Sequence, residues 1–565
     1  MLLDIAQIAI VLALILLLVR PMGRYMAAVF TGGRTMLDRF IDPIDGAIYR
    51  LSGIDTRQQM DWRAYVKAML LTNLVMFVML FVVLETQQFL PLDPDGIGAV
   101  DPFLAFNTAA SFITNTNWQN YGGENTLSYF SQLFAIIFPQ FTSAATGLVC
   151  GVAFIRGLGG STNMGNFYVD LVRSITRILL PISIATGIVF VALGVPATFD
   201  GAVTAQTVSG SEQTITRGPV AALASIKHLG TNGGGWFNTN SAHPYENPNP
   251  TSNVLENVLM GLIPTSLIYM LGLMIRRMRH AWTLFWVMAG FFLVFQVIAY
   301  AGEHAGNPLL TALGLDPAQG NMEGHEVRFG QGLTSLFITS TTAFTTGTVD
   351  AMHDSLTPLA SLTPISQMLL NMVFGGKGVG FINLIVFAIL GVFMVGLMVG
   401  RTPEFLGKKI ESHEVKLASF AFLMHPLLIL FAMAITFALS LDLSSILNPG
   451  PHGFSEVMYM YTSQAANNGS AFAGITGNTP WFNVSGGLVI VLGRYVSIVL
   501  MLALAGSLAK KKEVPVTIGT MRTEGPLFGG VLAGTVLIIG ALTFFPILAL
   551  GPIVEQLAML AGRTF

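Results

Sequence analysis

The chain has 565 residues, 53% of them hydrophobic and 10% charged, whereas soluble domains carry about 25% charged residues. With a mean hydropathy of +0.66, that composition excludes an ordinary soluble globular protein and places the chain in a lipid bilayer. The net charge of −2 singles out no partner, and no basic patch suited to nucleic acid occurs.

Apolar runs predict ten membrane spans, at about 2–19, 66–90, 130–155, 178–196, 254–275, 281–301, 363–400, 417–440, 482–508 and 527–549. The first carries Asp4 but no basic residue ahead of it. Arg20 and Arg24 follow it and no small-residue cleavage site comes next, so it reads as a retained helix with an external N-terminus. Basic residues then alternate from side to side. Segments 20–67, 156–177, 276–279, 401–416 and 510–522 hold 8, 3, 3, 4 and 4 of the 28 Lys and Arg, and the alternate loops hold only Arg217, Lys227 and Arg328. This asymmetry predicts both termini outside the cytoplasm. The single cysteine, Cys150, excludes an intrachain disulfide and reads as a packing residue within its apolar run.

Four external segments, 91–113, 197–233, 302–347 and 441–470, each end in an apolar, small-residue stretch. Such a stretch is too short to cross a hydrocarbon core of about 30 Å and suits a half-helix that dips in and returns. Each runs into a polar signature: Thr114-Asn115-Thr116-Asn117, then Gly230-Thr231-Asn232-Gly233-Gly234-Gly235, then Thr345-Thr346-Gly347-Thr348, then Asn467-Asn468-Gly469-Ser470. Four re-entrant loops in one chain are the plan of a potassium-type pore, in which backbone carbonyls replace an ion's water shell. The predicted fold is an all-α membrane protein of about ten transmembrane helices with four helix–loop–helix repeats around a central filter. An N-terminal helix and cytoplasmic segment occupy 1–65, pore repeats 66–155, 178–275, 281–400 and 417–508, and a C-terminal helix 527–549.

Gly233, Gly347 and Gly469 are expected at the narrowest ring, because glycine accepts backbone angles that aim successive carbonyls inward. The first repeat lacks glycine and offers Asn115-Thr116 instead. The competing reading is that these are ordinary turns at helix ends, where Gly, Asn and Thr are common; four in register on one side weigh against it. Two basic residues fall within spans. Arg494 is either a barrier to straight conduction or a packing residue bonded to a carbonyl or carboxylate. Lys377, in the glycine-rich run Gly375-Gly376-Lys377-Gly378, breaks an apolar stretch too long for one helix, and marks a flexible intramembrane gate, a simple kink or a cytoplasmic turn. Enzyme motifs are absent. Gly378 follows Lys377 where a phosphate-binding loop needs Ser or Thr, the histidines lack metal-ligand spacing, and no cytoplasmic segment could hold a nucleotide domain.

Longer strings carry a family resemblance. They are Ser111 to Gln119, Leu229 to Gly235, His243-Pro244-Tyr245-Glu246-Asn247-Pro248, Gly400-Arg401-Thr402-Pro403-Glu404, Asn448 to Glu456 and Asn467 to Gly474. On these the chain closely resembles, nearly end to end, the KdpA family, the potassium-binding subunits of bacterial Kdp potassium-pumping ATPases. The resemblance implies a non-catalytic, multi-pass subunit of the inner membrane that binds external potassium in the four-loop filter, with potassium as its transported ligand and no organic cofactor. The ion then passes sideways into a partner P-type ATPase subunit, and small accessory membrane subunits complete the complex. It carries filter roles onto Thr114 to Asn117, Thr231 to Gly234, Thr345 to Gly347 and Asn467 to Ser470, and the basic residue below the filter onto Arg494. The third loop departs most from the family pattern. The alternatives are a stand-alone potassium channel or symporter, and a membrane anchor with a vestigial pore.

Overall fold

The computed structural model describes residues 1–400, 402–515 and 521–563; Arg401, counted above among the basic residues, lies outside them. Among the described residues ten helices are long and apolar enough to cross a membrane: Leu2–Thr31, Trp62–Phe89, Tyr129–Leu158, Phe167–Ala192, Pro250–Met274, Met278–Ala312, Val379–Met398, Ser412–Ala438, Pro480–Ala509 and Pro526–Leu560. Each matches an expected span, but several run on past its edge. Leu2–Thr31 continues through Arg20 and Arg24, because hydropathy marks only the apolar stretch while helix hydrogen bonding persists beyond it.

The expected span 363–400 is the one that divides. Pro358–Leu370 stops at Asn371, whose left-handed backbone (φ 46°) caps it, and a new helix starts at Val379. Between them Phe374, Gly375 and Gly378 also take positive φ. A run of glycines resists helix and accepts those angles, so the break is written into the local sequence.

The helices sort into two shells. The most exposed apolar faces are those of the first and last: in Leu2–Thr31 and Pro526–Leu560 only 17% and 22% of the most apolar stretch is buried. Pro250–Met274 and Tyr129–Leu158 are central, at 83% and 78%. The N-terminal helix lies along Pro250–Met274 through small residues. A Cβ on Gly23 or on Gly261 would come within 2.8 Å of Tyr269 or Ile15 on the facing helix, the close approach by which membrane helices gain dispersion contacts. On the side that carries the basic segments, Arg156 forks onto Asp170 (2.5 and 3.0 Å), and Arg177 gathers Asp38, Asp42 and Asp45. Those carboxylates account for two arginines that have little solvent exposure.

Candidate ion filter

Four short helices point inward between the spans: Pro102–Ile113, Val220–Leu229, Gly330–Ala343 and Gly450–Ala465, of 12, 10, 14 and 16 residues. At 1.5 Å per residue the longest reaches about 24 Å, so none crosses the bilayer. The first is started by Asp101, which accepts from the Phe103 and Leu104 amides, and by Pro102 in the first turn. All four are buried, and each ends directly in one of the polar signatures, so their carbonyl ends, which carry partial negative charge, meet at one place.

The loops that follow share one hydrogen-bond pattern. The Thr116 and Asn117 amides donate to the Ser111 carbonyl (3.0 and 3.3 Å), Asn232 and Gly233 to Lys227 (2.9 and 3.1 Å), and Thr346 and Gly347 to Thr341 (2.8 and 3.2 Å). In the fourth, Asn468 donates to the Ser463 carbonyl (2.9 Å) and Gly469 to its hydroxyl (3.1 Å). Positive φ recurs at alternate positions: Asn115 and Asn117, Thr231 and Gly233, Thr345 and Gly347, Asn467 and Gly469. In a strand successive carbonyls point to opposite sides. Alternating the sign of φ turns them to the same side, so each loop presents a short ladder of carbonyls.

The four loops close on one another. A Cβ placed on Gly233 would overlap the Thr346 carbonyl, one on Gly347 the Asn468 carbonyl, and one on Gly469 the Thr116 carbonyl. The fourth junction is made by side chains, with Asn115 Nδ2 donating to the Thr231 carbonyl (2.8 Å) and Asn117 Nδ2 to that of Gly233 (3.3 Å). Second touches third, third fourth, fourth first, and first second. This corrects one expectation. The residue in register with the three glycines is Asn117 rather than Asn115-Thr116, because the φ alternation counts two forward from Asn115, and asparagine is the side chain that best tolerates the left-handed region. Thr114 turns away from the ladder: its hydroxyl donates back to Ala110 and pairs with Thr116 Oγ1. Ser470 Oγ bonds to Tyr459, which also holds His353 (2.6 and 2.7 Å), so it braces the fourth loop from behind.

Four buried oxygens in these loops, Asn117 Oδ1, Thr231 Oγ1, Asn232 Oδ1 and Thr346 Oγ1, have no hydrogen-bond partner among the described residues. Above the ring lies a cavity of about 310 Å³ lined by neutral groups that include Asn117, Gln119, Gly234, Gly469 and Asn478. Below it comes the broken helix. A Cβ on Gly376 would sit 3.0 Å from Thr231 Oγ1 and 3.2 Å from Thr345 Cβ, so the break at Gly376-Lys377-Gly378 lies against the second and third loops. Lys377 is buried and donates from Nζ to the Leu229 carbonyl at the end of the second half-helix; it is not at a surface turn. Arg494, 7% exposed, comes from the helix Pro480–Ala509. A Cβ on Gly147 would lie 2.6 Å from Arg494 Nη2 and 2.5 Å from the Lys377 carbonyl oxygen, which puts both residues at one place under the loops. Among the described residues no ion pair involves Arg494.

Several residues of this region escape a sequence reading. Gln119 locks the first loop to the second, donating to the Gly235 carbonyl (3.0 Å) and accepting its amide (2.8 Å). Lys227, read as a loop charge, is fully buried in the second half-helix and paired with Glu246 at 2.5 Å. Histidines without metal-ligand spacing in the chain also come together with acids. His452 Nε2 meets Asp354 (2.9 Å) and Nδ1 meets Glu555 (2.6 Å). Burial opposes charging of that ring, but the two carboxylate hydrogen bonds outweigh it and push its pKa to about 10, so His452 stays protonated at neutral pH and ties the C-terminal helix to the fourth half-helix.

The fold is that of a polytopic helical membrane protein. The chain overlays the TrkH potassium transporter of Vibrio parahaemolyticus with a TM-score of 0.52 at 14% identity, covering 89% of this chain and 98% of that one. The family is set by sequence: the chain belongs to the KdpA family, the potassium-transporting ATPase A subunits, whose family model matches residues 9–557. Among its relatives is the potassium-transporting ATPase potassium-binding subunit of Alicyclobacillus acidocaldarius, 55% identical over 95% of this chain and 96% of that protein. Its counterparts in Mesorhizobium japonicum and Geobacillus kaustophilus are 49% and 50% identical, covering 99% and 98% of this chain and 99% of each relative.

Proposed function

We propose that this chain is the potassium-binding, ion-translocating subunit of an ATP-driven potassium uptake complex, and that the four loops are its filter. The observation that carries the reading is the closed ring of four loops with the same φ alternation, which gathers four carbonyl ladders at the meeting point of four helix C-termini. A desolvated potassium ion needs oxygens and no donors. The carbonyl ladders supply such oxygens, four more buried oxygens of the loops (Asn117, Thr231, Asn232 and Thr346) have no hydrogen-bond partner among the described residues, and no organic cofactor is called for. Asn115 to Asn117, Thr231 to Gly234, Thr345 to Gly347 and Asn467 to Gly469 then form the filter, with Thr114 and Ser470 bracing the first and fourth loops. The pore repeats are 66–155, 178–275, 281–400 and 417–508.

Below the filter, the Gly376-Lys377-Gly378 break and Arg494 act as gate and barrier, which favours a sideways exit over a stand-alone channel. A cavity of about 30 Å³ lined by Asn467, Asn371, Asn383 and His425 beside the fourth loop suits the start of that exit. The partners are a separate P-type ATPase catalytic subunit and small accessory membrane subunits, in the bacterial inner membrane, with both termini and the filter loops outside. The names of the relatives support a subunit role without catalysis of its own.

Two measurements test this. The chain expressed with its neighbouring subunits should copurify with an ATPase subunit whose ATP hydrolysis potassium stimulates far more than sodium; purification alone, or stimulation indifferent to the ion, would end the reading. For orientation, single cysteines at Asn249 and Lys511 in a Cys150→Ala background should react in intact cells at the first position only, with a thiol reagent that cannot cross the inner membrane. Labelling at Lys511 alone would turn the filter towards the cytoplasm.

A further inference from the structure

Three of the four half-helices carry a hydroxyl on the residue whose carbonyl receives the loop amides. Ser111 Oγ donates to the Trp118 carbonyl (3.0 Å), Thr341 Oγ1 to that of Thr348, and Ser463 Oγ accepts from Gly469 N. Each hydroxyl ties its loop to its own helix. The second half-helix has Lys227 at this position, and its long side chain reaches elsewhere. Its ammonium donates to Glu246 Oε2 (2.5 Å), Ser241 Oγ (2.9 Å) and Thr348 Oγ1 of the third loop (3.1 Å). Glu246 Oε1 accepts the Phe237 amide at 2.8 Å. Lys227 and Glu246 are both fully buried, and all three ammonium protons find acceptors.

The other junctions of the ring are bridged by asparagine amides. Asn115 and Asn117 join first to second, Asn468 Nδ2 donates from the fourth to the Thr341 carbonyl (3.1 Å), and Asn467 Nδ2 donates to Thr116 Oγ1 (3.0 Å). The third loop offers Thr345 and Thr346 in place of an amide. Beside the ring, Thr348 bonds to the second half-helix at Lys227 and to the segment after the second loop at Ser241 (3.2 Å).

We infer that the buried Lys227–Glu246 pair positions the second filter loop against the third through Thr348, and so sets which ion the ring accepts. This rests on the filter reading above. Glu246 has a second task. A lysine beside a cation path would repel the ion, and its paired carboxylate cancels that charge. Breaking such a pair from one side leaves an uncompensated buried charge, whereas removing both sides does not.

The test uses the assembled complex and reads half-saturation and ranking of ATPase stimulation by potassium, rubidium and sodium. Glu246→Gln, which strands the ammonium, should raise the half-saturating potassium concentration at least tenfold. The double variant Lys227→Met with Glu246→Gln should recover most of that loss yet rank the three ions less sharply, by at least threefold. Thr348→Val cuts the bridge and leaves both charges, so it should narrow the ranking while potassium affinity stays within about threefold; it also carries the test if a Lys227 variant fails to assemble. Wild-type half-saturation and ranking in Glu246→Gln and in Thr348→Val would overturn the inference and make the pair a packing feature. Gly233→Ala, run alongside, separates the two levels. If it alone alters the ranking, only this inference falls; if it too leaves the ranking unchanged, the filter reading falls with it.

Discussion

Gly233→Ala will weaken and blur ion recognition. Two costs coincide there. Gly233 holds φ at 81°, where an alanine costs about 1–2 kcal/mol. Its new Cβ would also overlap the Thr346 carbonyl, a backbone group that cannot swing aside without moving the third loop. A shift of one carbonyl ladder changes the cavity an ion must fit, so the half-saturating potassium concentration should rise at least tenfold, about 1.4 kcal/mol, and sodium and rubidium should gain ground. The measurement is ATPase stimulation of the purified complex across the three ions. Gly32→Ala supplies the control: its φ of 76° imposes the same strain, but nothing lies within 4 Å of the added carbon, so ion ranking should not move. Equal effects of the two substitutions would attribute the result to backbone strain and remove Gly233 from the filter.

Arg494→Ala should open a leak. Its guanidinium lies beside Gly147 and the Lys377 carbonyl beneath the loops, and no carboxylate pairs with it among the described residues, so its charge is felt by an ion leaving the ring downward. For a potassium ion about 6 Å away at an effective dielectric of about 20, the repulsion is about 2.8 kcal/mol, which is about a hundredfold in rate. Passive potassium efflux from proteoliposomes holding the variant complex should therefore rise by one to two orders of magnitude, with fewer ions moved per ATP. Arg494→Lys, which keeps the charge, should remain tight. A wild-type leak and wild-type coupling in Arg494→Ala would leave the arginine a structural role only.

The parts of this protein legible in the chain are those set by local physics. Bilayer thickness dictates the length of an apolar run, so the ten spans could be placed from hydropathy. A stretch too short to span but too apolar for a water-facing loop had one solution, and the half-helices at Pro102–Ile113, Val220–Leu229, Gly330–Ala343 and Gly450–Ala465 are that solution. The glycine-rich run around Lys377 announced a broken helix for the same local reason. Glycine at Gly233, Gly347 and Gly469 was informative because few residues accept positive φ.

What only the tertiary structure decided depends on residues far apart in the chain. Asn467 meets Thr116 across 351 positions, and no local pattern encodes that closure. The register that sets Asn117 opposite the glycines emerges only when four backbones are compared in space. Lys227 looked like a loop charge because nothing nearby in sequence announces that Glu246, Ser241 and Thr348 converge on it; burial of a lysine is a property of the ring and its partners, not of its own helix. Hydropathy is summed over neighbours along the chain and so can be read from it, whereas electrostatic and hydrogen-bond partners are chosen in three dimensions, after the helices have packed.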